Sequence, residues 1–548
     1  MQDRIMQILT ELIRIKSVSD TATEVEAAEW FGHFFSELPY FKEHPEDTGL
    51  YEIPNDPHGR KIPYAFLKGK SMDTILLSGH FDVVSTEEYG QAEPWAYDIA
   101  TSTLEEKLSD MPLDEKARAD MESGEWIWGR GVADMKGGLA IHAALFEQYA
   151  KDALAGELAG SILFIPVPDE ESYSCGMRAA AEILKNFREK YNLKYKLYIC
   201  PEPTADNNMK QIMSLGTIGK VMPAVIVQGK KAHFGHCYQG FSALGMLAEI
   251  YLKTNGNLEF SDVCKGEASP PPTWSNLRDM KKGYDVSIPH RAYGYFTALT
   301  FETTPEEILE KLKVICLESF EHQVEKLNNE YQQFKLNCMT ETMERISYDP
   351  YVLTFDELCE ICKSRDPKAY EDFYAETYSN IKRKIGNGEL NFPSATIEMM
   401  EAVLDFSQIA VPVIIIGFAP PYYPQTHSDL VKGKEGFGSK AFEFIKEKTE
   451  EKFGEVVLAE NYFTGISDLS YGAVTSKFDY QKYSLNTPLW GDTYSIDLNT
   501  IEENAIPGII YGPIGRNYHQ YIERVNKKSL LEIVPEVTKG LIEYMWTI

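Results

Sequence analysis

Histidine and carboxylate side chains recur in six short segments that are spread over almost the whole chain. The segments are Gly79–Asp82, Gly129–Gly138, Asp169–Glu171, Pro201–Pro203, Lys231–His233 and Tyr518–Glu523. A pair of divalent metal ions about 4 Å apart needs one carboxylate that bridges them, and further imidazole or carboxylate ligands on each ion. Both kinds of ligand are present, and together they predict hydrolysis by a metal-activated water.

The side chains in these segments make up a full ligand set for two metal ions. Asp134 is the candidate bridging carboxylate, and the candidate terminal ligands are His80, Glu171, Glu202 and His519. Two imidazoles and three carboxylates suit zinc, and cobalt or manganese can occupy the same set. We therefore predict two divalent metal ions as cofactors, with zinc as the first choice.

Two carboxylates beside these ligands have predicted roles of their own. Asp82 lies two residues after His80, where it can accept the second imidazole N–H and fix the orientation of the ring. Glu170 precedes the ligand Glu171 and is the candidate general base, because a carboxylate that is not bound to metal can carry a proton from water to a leaving nitrogen. The sequence contains no Gly-x-Ser-x-Gly motif and no P-loop that would indicate a rival chemistry.

Each of these motifs also has an ordinary interpretation when it is taken alone. A His-x-Asp pair is common at protein surfaces, two adjacent glutamates often begin an exposed helix, and a glutamate between prolines can belong to a turn. The functional interpretation is favoured because the ordinary ones would require several coincidences in a fixed order.

The elements that must position these side chains are strands that alternate with helices. Buried strands are predicted at Thr74–Gly79, Gly160–Val167 and Tyr195–Cys200. Such alternation is typical of an α/β fold with a largely parallel sheet. His80, Glu170 and Glu202 each follow one of these strands closely, and open α/β sheets bind ligands beyond the carboxyl ends of their strands. We therefore expect these side chains to meet at one edge of the sheet.

The length of 548 residues exceeds what one hydrophobic core usually serves, so more than one domain is expected. Two successive strand–helix units indicate an inserted two-layer α+β domain over residues 215–419. We therefore predict a catalytic domain that is split into residues 1–214 and 420–548. A polar, helix-rich extension over about 321–405 enlarges the insertion, and residues 86–125 are predicted to form a surface loop or a small insert.

The composition restricts the partners and the compartment. The net charge of −29 would repel a phosphate backbone, so nucleic-acid binding is not expected. The chain has no run of about 18 apolar residues, so neither a transmembrane helix nor a membrane partner is predicted. Eight cysteines are scattered, and the Cys359 and Cys362 pair lies on one face of a predicted helix. A reducing cytoplasm is therefore expected.

Together, the motifs resemble those of the aminoacylase, glutamate carboxypeptidase and succinyl-diaminopimelate desuccinylase family of dizinc metallohydrolases. The resemblance rests on the segments SGHFDVV, WGRGVADMKGG, PDEES, PEPT and GRNYHQYIERV. It implies a zinc-peptidase-like catalytic domain with three α/β/α layers around a mixed sheet. It also implies an inserted lid domain through which the protein can form a homodimer.

The resemblance also implies how the metal site is divided. One metal ion would be held by His80, Asp134 and Glu202. The other would be held by Asp134, Glu171 and His519, and a cis peptide bond would follow Asp134. The bridging aspartate would then connect two half-sites with different terminal ligands.

Three more residues receive roles only through this resemblance. The segment GKKAHFGH places the lid histidine that stabilises the oxyanion, commonly in the partner subunit's active site, at His233, with His236 as the second choice. The segment GISDLSYG resembles the family's substrate-side loop and makes Asp468 a candidate for substrate binding.

The activity that the resemblance implies is hydrolysis of an amide bond in a small peptide or an N-acyl amino acid. Two alternatives stay open. One is hydrolysis at a ureido or carbamoyl nitrogen on the same metal site, and the other is a non-catalytic binding protein that keeps the fold.

The chain departs from the family pattern in the lid. Phe301 stands where many members carry an arginine for the substrate carboxylate, and Asp285 stands near the usual position of an asparagine. Arg291 and Arg278 are possible substitutes for the missing arginine. These differences and the length of the lid are similar to those of the RocB-type branch, which is named for arginine utilisation.

Overall fold

A computed structural model of the chain describes residues 1–205, 209–338, 344–476 and 479–548. The chain divides into two units. The first comprises Met1–Ile218, Pro424–Thr475 and Ile496–Ile548, and the second comprises Gly219–Tyr423 and Ser476–Ser495. Each unit has its own cluster of buried apolar side chains.

The N-terminal part of the first unit contains seven helices and nine strands among the described residues. The helices are α1 (Gln2–Arg14), α2 (Glu24–Glu37), α3 (Pro39–Glu43), α4 (Thr103–Ser109), α5 (Glu115–Ser123), α6 (Lys136–Leu154) and α7 (Cys175–Tyr191). The strands are β1 (Thr48–Glu52), β2 (Lys61–Leu67), β3 (Asp73–His80), β4 (Trp126–Trp128), β5 (Ser161–Val167), β6 (Lys194–Cys200), β7 (Thr204–Ala205), β8 (Gln211–Ser214) and β9 (Gly216–Thr217).

The middle of the chain forms most of the second unit. Its strands are β10 (Gly219–Val221), β11 (Pro223–Gln228), β12 (Val263–Cys264), β13 (Glu267–Ala268), β14 (Thr273–Asp279), β15 (Arg291–Thr300), β16 (Val352–Thr354) and β17 (Val413–Phe418). Its helices are α8 (Ala243–Thr254), α9 (Pro305–Asn337), α10 (Phe355–Arg365), α11 (Pro367–Gly386) and α12 (Phe392–Ser407).

The last part of the chain returns to the first unit, except for Ser476–Ser495, an excursion that belongs to the second unit. Its helices are α13 (Phe437–Phe453), α14 (Tyr480–Leu485), α15 (Leu498–Asn504) and α16 (Val534–Met545), and a π-helical turn (Ser529–Ile533) precedes α16. Its strands are β18 (Thr426–His427), β19 (Val457–Glu460), β20 (Gly508–Ile510), β21 (Ile514–Arg516) and β22 (Arg524–Asn526).

The first unit is built on an eight-stranded mixed sheet in the order β1-β2-β5-β3-β6-β20-β8-β19. The four strands β5, β3, β6 and β20 run parallel. Successive side chains of a strand face opposite sides, so Ile75 and Leu77 join a core with α1, α2, α6 and α16, while Leu76 faces the other side. Helix α7 packs against the sheet without joining that core. The predicted three-layer α/β/α arrangement is confirmed.

The parallel strands bring the predicted site residues to one edge of this sheet. His80 is the last residue of β3, Glu170 follows the end of β5 by three residues, and Glu202 follows the end of β6 by two. Because neighbouring parallel strands end on the same side, three segments that are far apart in sequence come together there.

A second, four-stranded sheet in the order β4-β22-β21-β7 belongs to the same unit. The turn between β21 and β22 contains His519, which has a positive φ of 60°. Residues 86–125 form a small insert rather than a loop. Leu104, Leu108 and Ala117 of its helices α4 and α5 pack with Trp126 and Trp128 in a small core of their own.

The second unit contains a mostly antiparallel sheet in the order β10-β15-β11-β17-β16, with β14 paired to β15. Helices α8 and α9 pack against it, as the α+β prediction requires. The predicted extension supplies α10, α11 and α12, which form a core with Ala224 and Ile226 of β11. Val225 and Val227 alternate with these residues, are buried and do not belong to that core, so the extension covers the sheet face opposite α8 and α9. Residues 339–343 of the extension lie outside the described residues.

The excursion Ser476–Ser495 groups with the second unit, whereas the prediction assigned it to the last catalytic segment. Hydrogen bonds from the extension explain the difference. The Tyr374 hydroxyl donates to the Pro488 carbonyl at 3.0 Å, and the Tyr378 hydroxyl donates to the Leu489 carbonyl at 3.3 Å. These partners lie over 100 residues apart in the chain, so local patterning carries no sign of the pairing.

Two predictions about composition can be compared with the described residues. Cys359 and Cys362 are buried on α10 without a disulfide, as the helix-face interpretation expects. Across the described ranges, the longest apolar helices fall short of what is needed to span a bilayer.

Candidate metal centre

Asp134 lies between two imidazoles in the loop that connects β4 to α6. Its Oδ1 is 3.1 Å from His80 Nε2, and its Oδ2 is 3.3 Å from His519 Nε2. The peptide bond after it, Asp134–Met135, is cis, as the family resemblance predicted. Each oxygen of one carboxylate therefore faces a different histidine, which is the arrangement of a carboxylate that bridges two ions.

A second carboxylate accompanies each histidine. Glu202 Oε2 lies 3.8 Å from His80 Nε2, and Glu171 Oε1 lies 3.0 Å from His519 Nε2. Ligand atoms of His80, Asp134 and Glu171 all fall within 4.8 Å of one another. The structure thus brings all five predicted ligands together in two adjoining groups.

These groups fit metal ions by distance and by burial. Nitrogen and oxygen ligands about 2.1 Å from a tetrahedral zinc ion lie about 3.4 Å apart, close to the three shortest imidazole–carboxylate distances here. Glu202 Oε1 is buried and makes no hydrogen bond to any described residue. A buried, unsatisfied carboxylate oxygen is costly unless a cation pairs with it, so the residues present suit two divalent cations.

The pKa shifts of the ionisable groups at the site also indicate an excess of negative charge. Burial raises the pKa of Glu202 well above its usual value, although His80 opposes the shift. Hydrogen bonds to Asp134 and Glu171 raise the pKa of His519 to about 10. Both shifts favour the protonated forms, as expected where several buried carboxylates lie close together.

Asp82 lies beside the His80 imidazole and has further partners that the sequence did not indicate. The Nδ1 atom of His80 lies 3.0 Å from the backbone carbonyl oxygen of Asp82 and 3.5 Å from its Oδ1. The Asp82 carboxylate accepts the backbone N–H groups of Glu170 at 3.1 Å and Glu171 at 3.2 Å, and the Ser19 hydroxyl at 2.6 Å. The backbone of Asp82 thus orients the imidazole, while its carboxylate also holds the turn that carries both glutamates.

Glu170 and Asp468 lie beside the ligands. Glu170 is 7% exposed, and its Oε2 lies 3.9 Å from His80 Nε2. Burial raises its pKa well above the usual value, with Glu202 and Asp468 adding to the shift. Asp468 is buried at the start of a short 3-10 turn, and burial raises its pKa to about 7. Glu170 is therefore a buried carboxylate with a raised proton affinity, next to the ligands.

Glu523 supports the bridging aspartate, a role that the sequence analysis did not assign. Its Oε1 accepts the backbone N–H groups of Ala133 at 3.1 Å and Asp134 at 3.2 Å, and its Oε2 accepts Arg130 at 2.6 Å. The signal was present in the sequence as a glutamate four residues after His519. Its buried partners are some 390 residues away, and spacing could not identify them.

The two lid histidines belong to the second unit and are exposed. His233 Nδ1 accepts the backbone N–H of Gly235 at 3.1 Å, so Nε2 is the nitrogen that can donate. The His236 ring lies 6.0 Å from that of His233. Their roles stay predictions.

The lid positions where the chain departs from the family pattern are already engaged within the second unit. Phe301 is buried, and Asp285 pairs with Lys231 and Lys281. The Arg291 guanidinium donates to Gln228 and pairs with Glu401 and Asp405. Arg291 is therefore engaged by neighbours on its own unit.

Comparison with known proteins gives a family to this arrangement. Residues 76–543 match the Peptidase family M20/M25/M40. The chain is 30% identical to the uncharacterized protein YqjN of Bacillus subtilis (strain 168), over 98% of this chain and 95% of that protein. It is 26% identical to the protein RocB of the same organism, over 97% of this chain and 93% of that protein.

A solved structure shows the same fold. A tripeptidase from Staphylococcus aureus superposes with a TM-score of 0.53 and 13% identity, covering 100% of this chain and 99% of that one. Since the family match spans most of the chain and YqjN matches nearly all of it, the chain belongs to peptidase family M20/M25/M40 and is a RocB-like metallopeptidase of that family.

Proposed function

We propose that this protein hydrolyses an amide bond of a small peptide or an N-acyl amino acid, with two divalent metal ions as cofactors and Glu170 as the general base. The observation that carries the proposal is the placement of Asp134, whose two oxygens face His80 and His519 separately. Such a carboxylate serves two ions at once, and two-ion sites of this kind support hydrolysis.

The two ions would be held by separate residue groups that share Asp134. His80 and Glu202 complete one group, and His519 and Glu171 complete the other. When bound, divalent ions polarise a scissile carbonyl and lower the pKa of water. Zinc suits this donor set best, and cobalt or manganese are the alternatives.

Glu170 has the properties that a general base in this site requires. It is buried beside the ligands, and its Oε2 lies 3.9 Å from His80 Nε2. Its pKa is raised by burial, which brings its proton affinity closer to that of the groups it must exchange protons with. Glu170 would take a proton from water and deliver it to the leaving nitrogen.

We propose that His233 of the lid stabilises the negative charge that develops on the carbonyl oxygen. Its Nδ1 accepts a hydrogen bond, which leaves an N–H at Nε2 for donation to an anion. The expected effect of His233→Ala is a fall in kcat of about 100-fold with metal content unchanged. An unchanged kcat would contradict the role.

The substrate proposal rests on the family and on the altered lid. The superposed structure is a tripeptidase, which supports a short peptide as one substrate class. Phe301 is buried and apolar, and the family resemblance expects an arginine for a carboxylate at this position in many members, so we propose that the substrate is not held by its free α-carboxylate. A panel of dipeptides, tripeptides and N-acyl amino acids, each with a free and an amidated carboxyl end, would test this directly.

The proposed function as a whole is tested by metal content and hydrolysis measured together. We expect two ions per chain, cleavage that a chelator abolishes, and recovery on adding zinc. Glu170→Gln should keep both ions and lose at least 100-fold in kcat. Wild-type protein that binds no divalent ion after reconstitution would overturn the proposal, and a Glu170→Gln variant with normal turnover would overturn the assigned base.

A further inference from the structure

We propose that Arg60, outside the metal centre, is a positioning residue that sets the geometry of Glu170 and Glu171 by holding Asp169. This inference rests on the proposed function, because it concerns the same two glutamates. Arg60 lies immediately before β2 and is 3% exposed. Its guanidinium donates to Glu24, Asp56 and Asp169, and of these three Asp169 adjoins the general base in sequence, so we expect its effect to pass through Asp169.

Arg60 is the centre of a buried ion cluster that ends at Asp169. Its Nη1 donates to Asp169 Oδ1 at 2.6 Å and to Glu24 Oε1 at 2.9 Å. Its Nε and Nη2 both donate to Asp56 Oδ1, at 3.0 and 2.6 Å. Asp56 also accepts the backbone N–H of Arg60 at 2.7 Å. Contacts to Glu24 and Asp56 therefore fix the orientation of the guanidinium that binds Asp169.

Asp169 immediately precedes Glu170 and Glu171, and several hydrogen bonds hold it in place. Its Oδ2 accepts the backbone N–H of Cys175 at 3.0 Å, and its carbonyl accepts the N–H groups of Tyr173 at 3.1 Å and Ser174 at 2.6 Å. Its φ of +72° is a left-handed backbone conformation that residues other than glycine seldom adopt. Contacts at both carboxylate oxygens hold Asp169 in that conformation.

The conformation matters because the next two residues must serve different partners. Glu171 reaches His519 at 3.0 Å, whereas Glu170 lies 3.9 Å from His80. Asp82 already holds the two amides of this turn, and Asp169 holds the backbone just before them. A catalytic group that moves by about 1 Å can lose about 100-fold in rate, so this second anchor has a direct chemical consequence.

Stability alone does not account for the cluster. One guanidinium serves three carboxylates that are nearly inaccessible to solvent, Glu24, Asp56 and Asp169, and the exposed Asp20 lies 4.0 Å away. Buried ion clusters are often no more stable than apolar packing of the same volume. What the charged cluster provides is directional: the planar fork of arginine aligns Asp169 with a geometry that an apolar side chain or lysine cannot reproduce.

The test compares Arg60→Met and Arg60→Lys with wild type, using metal titration of the chelated protein and steady-state kinetics at saturating zinc. For Arg60→Met we expect the ion at the Glu171 and His519 group to bind 10- to 100-fold more weakly, with less change at the other ion. We expect kcat to fall about 100-fold and KM to change only a few-fold. The kcat and the metal affinity of Arg60→Lys should lie between those of Arg60→Met and those of the wild type. Arg188→Met, which removes an exposed ion pair with Glu503, is the matched control and should resemble wild type.

A second variant separates positioning from folding. Removing Arg60 leaves three carboxylates near one another, and Glu24→Gln in the Arg60→Met background removes part of that repulsion. We expect the double variant to recover thermal stability without recovering kcat or the affinity of the weakened ion. Recovery of all three properties together, or equal weakening of the two ions in Arg60→Met, would overturn the inference. Failure of the proposed function itself would appear separately, as wild-type protein without metal or hydrolysis.

Discussion

At the residue scale, the buried carboxylates around Asp134 include the proposed ligands and two groups that support them. The proposed ligands are Asp134, Glu171 and Glu202. The carboxylates of Asp82 and Glu523 instead accept backbone N–H groups from the loops that carry these ligands. Supports of this kind fix the positions of the side chains that bind a metal ion, and their loss commonly costs 10- to 100-fold in metal affinity.

Glu523→Gln tests the support beneath the bridging aspartate. The amide oxygen can still accept the N–H groups of Ala133 and Asp134, but the amide NH₂ would face the Arg130 guanidinium, which is also a donor. We expect a loss of about 2 kcal/mol in the free energy of unfolding and weaker binding of both ions, measured by urea denaturation and zinc titration. Glu532→Gln, at an exposed position, is the control. Unchanged metal affinity in Glu523→Gln would contradict the supporting role.

The raised pKa of His519 predicts that metal binding releases protons. Hydrogen bonds to Asp134 and Glu171 raise this pKa to about 10 in the metal-free site, so the ring is charged at pH 7.5, and a ligand imidazole must be neutral. Because the folded pKa lies above the unfolded one of about 6.5, this interaction stabilises the metal-free protein below pH 6.5 and is lost as the pH rises through 10.

Calorimetric zinc titrations in two buffers with different ionisation enthalpies would measure this release. We expect at least one proton per chain at pH 7.5 and an affinity that increases with pH. The variant His33→Gln changes an exposed histidine outside the site and should release the same number of protons. Identical heats in both buffers would show that the prediction is wrong.

At the element scale, the extension α10–α12 holds the excursion that leaves the last catalytic segment. Tyr374 donates to Pro488, and Tyr378 donates to Leu489 while accepting the backbone N–H of Thr493 at 2.8 Å. Leu489 also joins the apolar core of the extension. The added helices therefore give the excursion both hydrogen-bond partners and an apolar surface.

Tyr378→Phe should loosen the excursion more than Tyr374→Phe does. The first change removes two hydrogen bonds and the second removes one, at about 1 kcal/mol each. Hydrogen–deuterium exchange of peptides within residues 479–495 should therefore become faster in that order. Tyr284→Phe, at a position that is 89% exposed, is the control. Equal exchange in all three variants would argue against the hydrogen bonds as the anchor.

At the scale of the whole molecule, the metal centre gathers residues from distant parts of the first unit. His80, Glu202 and His519 are brought together by the parallel sheet and the β21–β22 turn. The centre concentrates acidic groups in a chain whose net charge is already −29. A ligand that binds only the folded state stabilises it by mass action, by about 2.7 kcal/mol at a hundred times its Kd.

Removal of metal should therefore loosen the first unit selectively. We expect chelation to increase hydrogen–deuterium exchange in residues 129–138, 169–175 and 517–523, and to leave peptides from 219–338 unchanged. The contrast is expected because the candidate metal centre lies in the first unit, and a second group of possible ligands among the described residues, His44, Glu46 and Asp47, lies there too. A uniform increase across the chain would contradict a metal effect that is local to this centre.

The sequence by itself determined the ligand types, their order and the edge of the sheet at which two ligands and the candidate general base meet. Strand patterning is local, since a buried strand is a short run of apolar residues. Parallel strands then bring His80, Glu170 and Glu202 together by a general rule of α/β folds. These inferences needed no knowledge of which side chains touch.

Only the tertiary structure decided which groups hold the ligands in place. Three hydrogen bonds illustrate this: Glu170 N–H to Asp82, Asp134 N–H to Glu523, and Arg60 to Asp169. Each joins residues about 90 to 390 positions apart in the chain. The grouping of Ser476–Ser495 with the extension is of the same kind. A hydrogen bond depends on distance and direction between two particular atoms, and hydrophobic periodicity contains no information about either.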